Sequence, residues 1–276
     1  MTNIAKDFTF KDGTTIPRIG FGTMRLTGQP GNFGPYEDWD AGVALLRRAA
    51  DIGVRHFDSA RAYGPHHSER LVGEALGSHA GGVFIASKGG IEKAGPGVEF
   101  IKRDGRPEAL ARHVDESLAS LAVERIDLYY LHSVDPNVPI EDSIGALAAA
   151  QAAGKIARIG VSNVDLHQLK RSMAVARIDA VQNRYNPADG GDEAVIDFTA
   201  GNGIAFIPWG PLGANPMIHG APLAEGNAQN GFTPAQRAIR DLLERAPNIL
   251  PIPGTTSATH AEENARVLEL IGGDDA

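Results

Sequence analysis

The stretch Phe57-Asp58-Ser59-Ala60-Arg61-Ala62-Tyr63-Gly64, with Ala86-Ser87-Lys88 further on, decides how this chain is read. An acid, a phenol and an amine stand at or near the ends of what read as successive buried strands, Arg55–Ala60 and Val83–Ser87. A third such run, Ile126–Leu131, ends in His132. Polar groups that each follow a buried parallel strand gather at one rim when the strands close into a barrel. Singly, each has a plainer reading: Asp58 as a helix cap, Tyr63 as a packing residue with a wet hydroxyl, His132 as a structural imidazole. Lys88 is the exception, because an ammonium at the mouth of an apolar run must find a partner or shift its pKa.

Working outward, strands and helices alternate. Phe8-Thr9-Phe10 and Ile16 flank Asp12-Gly13, a hairpin signal. Strands are expected at Arg18–Thr23, Arg55–Ala60, Val83–Ser87, Ile126–Leu131, Ala157–Ser162, Ala180–Arg184, Ile204–Trp209 and Ile249–Ile252. Helical spacing of apolar residues predicts Trp39–Ile52, Ser68–Leu76, Pro107–Leu121, Ile140–Ala153, Leu166–Val175, Glu193–Ala200, Pro234–Arg245 and Ala261–Leu270. Eight strand–helix units without a change of composition favour a single α/β domain over residues 1–276, a (β/α)8 TIM barrel with an N-terminal β-hairpin. The long connections Met24–Asp38, Gly89–Arg106 and Pro211–Thr233 all follow a strand, so all three belong to the C-terminal mouth.

The bulk numbers agree with that size and narrow the partners. A barrel of this kind takes about 250 residues, and the chain has 276. Its net charge is −8 with basic residues scattered, which argues against nucleic acid as a partner. There is no cysteine, hence no disulfide, thiolate nucleophile or thiolate metal site. The segment Met1–Phe10 lacks the long apolar run of a signal peptide and no stretch reaches a membrane span, so the expectation is a soluble cytoplasmic protein off the membrane. Oligomeric state is not legible.

The chemistry of the set is coherent. A free phenol, with a pKa of about 10, holds its proton too tightly to be a good acid near neutrality. A neighbouring ammonium is expected to lower that value, Asp58 to keep Lys88 charged and aimed, and His132 to orient a carbonyl oxygen. Such a group would polarise a C=O and protonate the alkoxide, while the hydride must come from a cofactor. There is no Gly-x-Gly-x-x-Gly fingerprint. Ser162-Asn163 and Gln182-Asn183 offer amides and hydroxyls for a carboxamide, and Trp209 offers a ring to stack on a pyridine. Gly254-Thr255-Thr256 precedes a helix, as suits a phosphate or a plain helix cap.

Taken in order, the hairpin with Ile16-Pro17, Gly20-Phe21-Gly22-Thr23, Phe57-Asp58-Ser59-Ala60 with Tyr63-Gly64, Ser87-Lys88, Leu131-His132, Gly160-Val161-Ser162-Asn163, Gln182-Asn183-Arg184-Tyr185-Asn186, Trp209-Gly210-Pro211-Leu212-Gly213, Ile252-Pro253-Gly254-Thr255 and Glu263-Asn264 resemble the aldo-keto reductases over nearly the whole length. The resemblance implies a tetrad of Asp58, Tyr63, Lys88 and His132 with Tyr63 as general acid. It also implies NADPH/NADP+ (with NADH as a lesser option) held across the mouth by Gly22, Thr23, Met24, Asp58, Ser162, Asn163, Gln182, Trp209, Gly210, Pro211, Leu212, Gly213, Gly254, Thr255, Thr256, His260, Glu263 and Asn264, with no metal. Many members carry Lys and Arg where this chain has Gly254 and His260, which weakens the grip expected on a 2′-phosphate. The loop Gly31-Asn32-Phe33-Gly34-Pro35 is similar to that of short bacterial members that include pyridoxal reductase-like enzymes. Phe33, Tyr36, Trp39 and Phe100 suit an apolar or aromatic pocket, or equally the packing of the loops; with the resemblance, the expectation is a small carbonyl substrate of aromatic, pyridoxal-like character.

Two other classes stay open at this stage. One is a non-catalytic NADP(H)-binding sensor on the same barrel, against which the intact tetrad counts. The other is a metal-dependent hydrolase using His66, His67 and Asp58, against which the divergence of adjacent histidines counts.

Overall fold

The computed structural model describes residues 4–77, 82–186, 191, 193–212 and 231–271. It begins with an antiparallel hairpin of β1 (Asp7–Thr9) and β2 (Thr15–Pro17). Gly13 adopts a φ of 87° in its turn, as a residue without Cβ can. Then come β3 (Phe21–Gly22), α1 (Trp39–Asp51), β4 (His56–Asp58), α2 (His67–Leu76) and β5 (Phe84–Gly89). A second hairpin, β6 (Ile91–Lys93) with β7 (Ile101–Arg103), precedes α3 (Pro107–Leu121). The alternation resumes with β8 (Leu128–Leu131), α4 (Ile140–Ala152), β9 (Ile159–Ser162), α5 (Leu166–Val175), β10 (Ala180–Gln182), α6 (Glu193–Asn202) and β11 (Ala205–Phe206). The described chain ends with α7 (Pro234–Arg245), α8 (Ala258–Ala265) and α9 (Val267–Leu270).

Seven parallel strands run in the order β11-β10-β9-β8-β5-β4-β3. The eighth position is filled by residues 248–251. The Leu250 amide donates to the Phe206 carbonyl at 2.8 Å, and on the other side the Gly20 amide donates to the Pro251 carbonyl at 2.9 Å. The ring therefore closes, and the architecture is the expected (β/α)8 barrel. The seam is tight: a Cβ on Gly254 would lie 2.6 Å from the Gly22 carbonyl oxygen, and one on Gly22 would lie 2.8 Å from that of Ile252.

Helix starts follow local chemistry. Asp38 caps α1, Pro107 opens α3, and capping boxes at Asp165/Gln168 and Thr233/Gln236 open α5 and α7. Several boundaries differ from the sequence reading. The first and eighth strands shrink to β3 and to an isolated bridge at Ile249, because there the chain meets its neighbour through only one or two bonds. The third strand runs on to Gly89, so Lys88 lies inside it. The closing helix begins at Ala258, with Ser257 accepting from the His260 amide, and is split into α8 and α9. Within Gly89–Arg106, read as loop, the β6–β7 hairpin forms.

Alternation along each strand sorts the core into two shells. Phe84, Ala86, Leu128, Tyr130, Ala180, Ala205, Ile207, Leu250 and Ile252 fill the bore, joined from below by Phe8, Phe10 and Ile16 of the first hairpin. Phe10 stacks on Phe84, the first residue of β5, at 5.3 Å. The Arg158 guanidinium covers both rings at 4.9 and 5.1 Å and pairs with Asp12 at 2.5 Å, sealing the lower end. The Tyr130 ring occupies the space a side chain at Gly160 would need, 2.3 Å from a Cβ there. The outer shell, between sheet and helices, is larger and apolar. No helix among the described residues is long and apolar enough to cross a membrane.

Candidate functional site

Three side chains project from strand ends into the upper bore. Asp58 closes β4 and is 1% exposed; Lys88, two residues beyond Ala86 on β5, is also 1% exposed. The Lys88 ammonium donates to Asp58 Oδ1 at 2.5 Å and to the Ser59 carbonyl at 2.6 Å. Asp58 Oδ2 accepts from Gln182 Nε2 at 2.9 Å. The carboxylate is thus held from both sides, by a strand that follows it and by one across the barrel.

Tyr63 comes to this pair from the β4–α2 loop. Lys88 Nζ lies 5.1 Å from the centre of its ring and 5.7 Å from that of Tyr130. The loop is tight: the Tyr63 amide donates to the Ala60 carbonyl, and its own carbonyl accepts from the Ser68 amide. His132, just past β8, packs edge-on against Tyr63 with ring centres 5.9 Å apart and an interplanar angle of 80°. Its Nδ1 is buried without a hydrogen-bond partner.

Burial outweighs the neighbouring charge at the phenol. It pushes Tyr63 above the ordinary tyrosine value; the Lys88 ammonium pulls down and Asp58 pushes up again, and the net shift is upward. The expectation that Lys88 lowers Tyr63 overall is therefore corrected: the lowering exists, but desolvation is larger. Burial alone would lower Lys88, yet the Asp58 charge and the Tyr63 hydroxyl hold it above its usual value. His132 is lowered to about 3 by burial, with Lys88 adding to the effect, so it is neutral near pH 7. The result is a charged amine, a protonated phenol and a neutral imidazole around one point.

The rim residues divide into three groups. Ser162 and Asn163 stand at the end of β9, where Asn163 takes a left-handed φ of 57°. Asn163 donates to the His132 carbonyl at 3.0 Å and accepts from Trp209 Nε1 at 3.0 Å, which ties three strand ends together. Trp209 is half-buried, bridged to Arg184, and Gly210, Pro211 and Leu212 follow it. On the α8 side, Gly254 lies on the seam, Thr255 Oγ1 accepts from the Ser257 amide, and Thr256 and His260 are exposed. Glu263 and Asn264 lie on α8, where the Glu263 carbonyl accepts from Gln236. Two expected contacts are already spoken for. Thr23 Oγ1 turns away from the mouth to the Asp58 carbonyl and the Ser68 hydroxyl, and the Gln182 amide is engaged by Asp58. The Met24 carbonyl accepts from Thr27 and Gln29. Gly213 lies outside the described residues, as does most of Pro211–Thr233. Among the described residues no group of three metal-ligating side chains forms; His66 instead faces Glu69 and Ser120.

Residues 18–228 match the model of the aldo/keto reductase family. The chain belongs to the aldo/keto reductase family. Among its relatives, pyridoxine 4-dehydrogenase of Escherichia coli is 38% identical over 269 residues, spanning 95% of this chain and 93% of the relative. The NADP(+) aldo-keto reductase yakc of Schizosaccharomyces pombe is 30% identical over 294 residues, spanning 93% and 85%. Of solved structures, glycerol dehydrogenase from Gluconobacter oxydans superposes with a TM-score of 0.83 at 23% identity, covering 97% of this chain and 90% of that one. An aldo-keto reductase from Klebsiella pneumoniae in complex with NADPH superposes at 0.77 with 25% identity, covering 96% and 89%.

In this aldo/keto reductase the sequence missed the residues behind the strand ends. Ser59, Ser68, Glu69 and Ser87 are fully buried and bonded to one another. Polar residues in a helix's first turn read as solvated, and only their adjacency to Asp58 and Lys88 offered a signal. Ser257, the α8 cap, was missed because the helix was started three residues late.

Proposed function

We propose that this protein reduces an aldehyde or ketone to the alcohol, with NADPH as hydride donor and Tyr63 as general acid. One observation carries the reading: a buried Lys88–Asp58 pair set against the Tyr63 phenol, with a neutral His132 beside it. The rim fits a pyridine dinucleotide. The exposed Asn163 and the half-buried Trp209 ring line one edge, with Ser162 buried behind them and bonded to Asn163, and the Ser257-capped start of α8, with His260 in its first turn, suits phosphate at the other. Those residues, with Gly22, Met24, Gly210 to Gly213, Gly254 to Thr256, Glu263 and Asn264, would hold it. When bound, the dinucleotide supplies the hydride that side chains cannot.

The chain's own groups do the rest. Tyr63 donates its proton to the oxygen that gains charge. Lys88 stabilises the phenolate left behind, and Asp58 keeps the ammonium aimed through Oδ1 while Gln182 steadies Oδ2. His132, neutral, hydrogen-bonds the carbonyl oxygen and sets its direction. A pyridoxal-like substrate is supported by the Escherichia coli relative, whose name is that of a pyridoxine 4-dehydrogenase.

The test is NADPH consumption with pyridoxal, aromatic aldehydes and diketones, repeated with NADH. Turnover of at least one carbonyl is expected. Tyr63→Phe should lower kcat by about 10²–10⁴-fold while NADPH still quenches tryptophan fluorescence. Retained wild-type turnover in that variant removes Tyr63 from the acid role, and NADPH binding without turnover across the panel favours a sensor.

A further inference from the structure

Three chain segments carry Asp58, Tyr63 and Lys88, and all three are fastened to the first turn of α2. Ser68 Oγ lies 2.9 Å from Ser59 Oγ and 2.6 Å from Thr23 Oγ1, and Thr23 Oγ1 donates to the Asp58 carbonyl at 3.0 Å. The Ser68 amide donates to the Tyr63 carbonyl at 3.2 Å. Glu69 Oε1 accepts from Ser87 Oγ at 2.5 Å. Ser59 and Ser87 are the chain neighbours of Asp58 and Lys88, and the Ser59 carbonyl itself receives the Lys88 ammonium. Thr23, Ser59, Ser68, Glu69 and Ser87 are each 0% exposed.

We propose that Ser68 and Glu69 are positioning residues that fix where Asp58, Tyr63 and Lys88 stand relative to one another; this rests on the reductase reading above. Side chains alternate along a strand, so Ser59 and Ser87 point out of the bore, toward α2, while Asp58 and Lys88 point in. A hydrogen bond on the outer face therefore sets the height and twist of the residue next door on the inner face. The space between barrel strands and helices is mostly apolar, and alanine or leucine would fill it without unmet polar atoms.

Glu69 makes the point most sharply. Its Oε2 is buried with no hydrogen bond, and His66 Nδ1 lies 3.5 Å from it. A carboxyl group kept wholly out of water with one oxygen unmet is costly. It earns that place by reaching Ser87 across the helix–strand gap. The loop between the anchors is correspondingly strained: His66 adopts a left-handed φ of 61°, next to the residues that return the chain from Tyr63 to α2.

The test uses the full chain with NADPH and its best carbonyl substrate. Ser87→Ala, Ser68→Ala and Glu69→Gln are compared with wild type and with Ser172→Ala, whose hydroxyl is on α5 and donates to the Gln168 carbonyl within the same helix. The readouts are kcat, KM, the NADPH dissociation constant from tryptophan quenching, the pH profile of kcat, and the phenol titration of Tyr63 by NMR of labelled tyrosine. Ser87→Ala and Ser68→Ala should lose on the order of tenfold in kcat or more, with the NADPH dissociation constant unchanged, and should displace both the alkaline limb and the Tyr63 titration. Glu69→Gln keeps an acceptor for Ser87 and should retain most of kcat, whereas Ser172→Ala should match wild type in every kinetic readout. An active wild type whose Ser87→Ala and Ser68→Ala variants keep its kcat, pH profile and Tyr63 titration overturns this inference alone. A wild type that consumes no NADPH with any carbonyl overturns the reductase reading and this inference with it.

Discussion

Lys88 Nζ stands 2.5 Å from Asp58 Oδ1, with 0% and 2% of the two side chains exposed. An ion pair this dry is costly to break from one side. Removing only one partner leaves a buried charge without its counterion, at about 3–5 kcal/mol.

The first prediction separates stability from chemistry at that pair. Lys88→Met should lower the unfolding free energy by about 3–5 kcal/mol and abolish turnover. The double variant Lys88→Met, Asp58→Leu should recover most of the stability and none of the activity. Urea unfolding and NADPH consumption on the same preparations check both halves.

The pH profile follows from the directions of the shifts. With Tyr63 as the proposed acid, reduction needs the phenol protonated; Tyr63 is raised above its ordinary value of 10.0, so kcat should stay flat through neutral pH and fall only in strongly alkaline solution. Oxidation of the alcohol should rise over the same alkaline range. His132, lowered to about 3, should contribute no step at its ordinary value of 6.5. A step near that pH that disappears in His132→Asn would contradict the neutral-imidazole role.

His56 sits two residues below Asp58 on β4, 0% exposed, with both ring nitrogens lacking partners. Burial lowers it from 6.5 to about 4, with Lys88 adding and Asp58 opposing. Between those values the unfolded chain binds a proton that the folded chain refuses, so stability is intact above the unfolded value and falls as the pH drops through the window. The loss amounts to roughly 3 kcal/mol. His56→Leu should flatten that acid slope and leave stability at pH 7 equal or higher, as urea midpoints at the two ends of the window would report.

Arg18 is a structural cation. Its guanidinium donates to the carbonyls of Ala5, Leu243, Ala246 and Ile249, and it is 1% exposed. It stitches the chain before β3 to the end of α7 and to the eighth barrel segment. Arg18→Met should strand those carbonyls and cost about 3 kcal/mol or more, seen as a lowered Tm with kcat per folded molecule little changed.

Gly254 tests the seam. A Cβ there meets the Gly22 carbonyl oxygen at 2.6 Å, a backbone atom that cannot swing aside. Gly254→Lys should therefore lose about 1–3 kcal/mol of stability rather than create a grip for a 2′-phosphate. Tm and the ratio of NADPH to NADH dissociation constants measure the two effects.

What could be read from the chain, and what could not, divides along physical lines. Strands buried on both faces are continuous apolar runs and the helices carry apolar residues at helical spacing, so the strand–helix order was legible, and α3, α5 and α7 to the residue, while the strand ends were not. The β6–β7 hairpin was not: its three-residue strands sit in a segment rich in glycine and charged residues, and Lys93 pins it by donating to the Gly31 and Asn32 carbonyls. Asp58, Tyr63, Lys88 and His132 could be brought together because each stands at or just past the end of a strand. The sign of the Tyr63 shift could not, because a sequence states which charges are near but not how much water is gone. Thr23 and Gln182 were assigned outward roles because their inward partners, Ser68 and Asp58, are 45 and 124 positions away.

The plug formed by Phe8, Phe10 and Ile16, with Arg158 against Phe10, closes the lower end of the barrel. The floor is a structural part of the molecule, so loosening it should be felt in the cohesion of the barrel and not in the traffic to Asp58, Tyr63 and Lys88 at the other end.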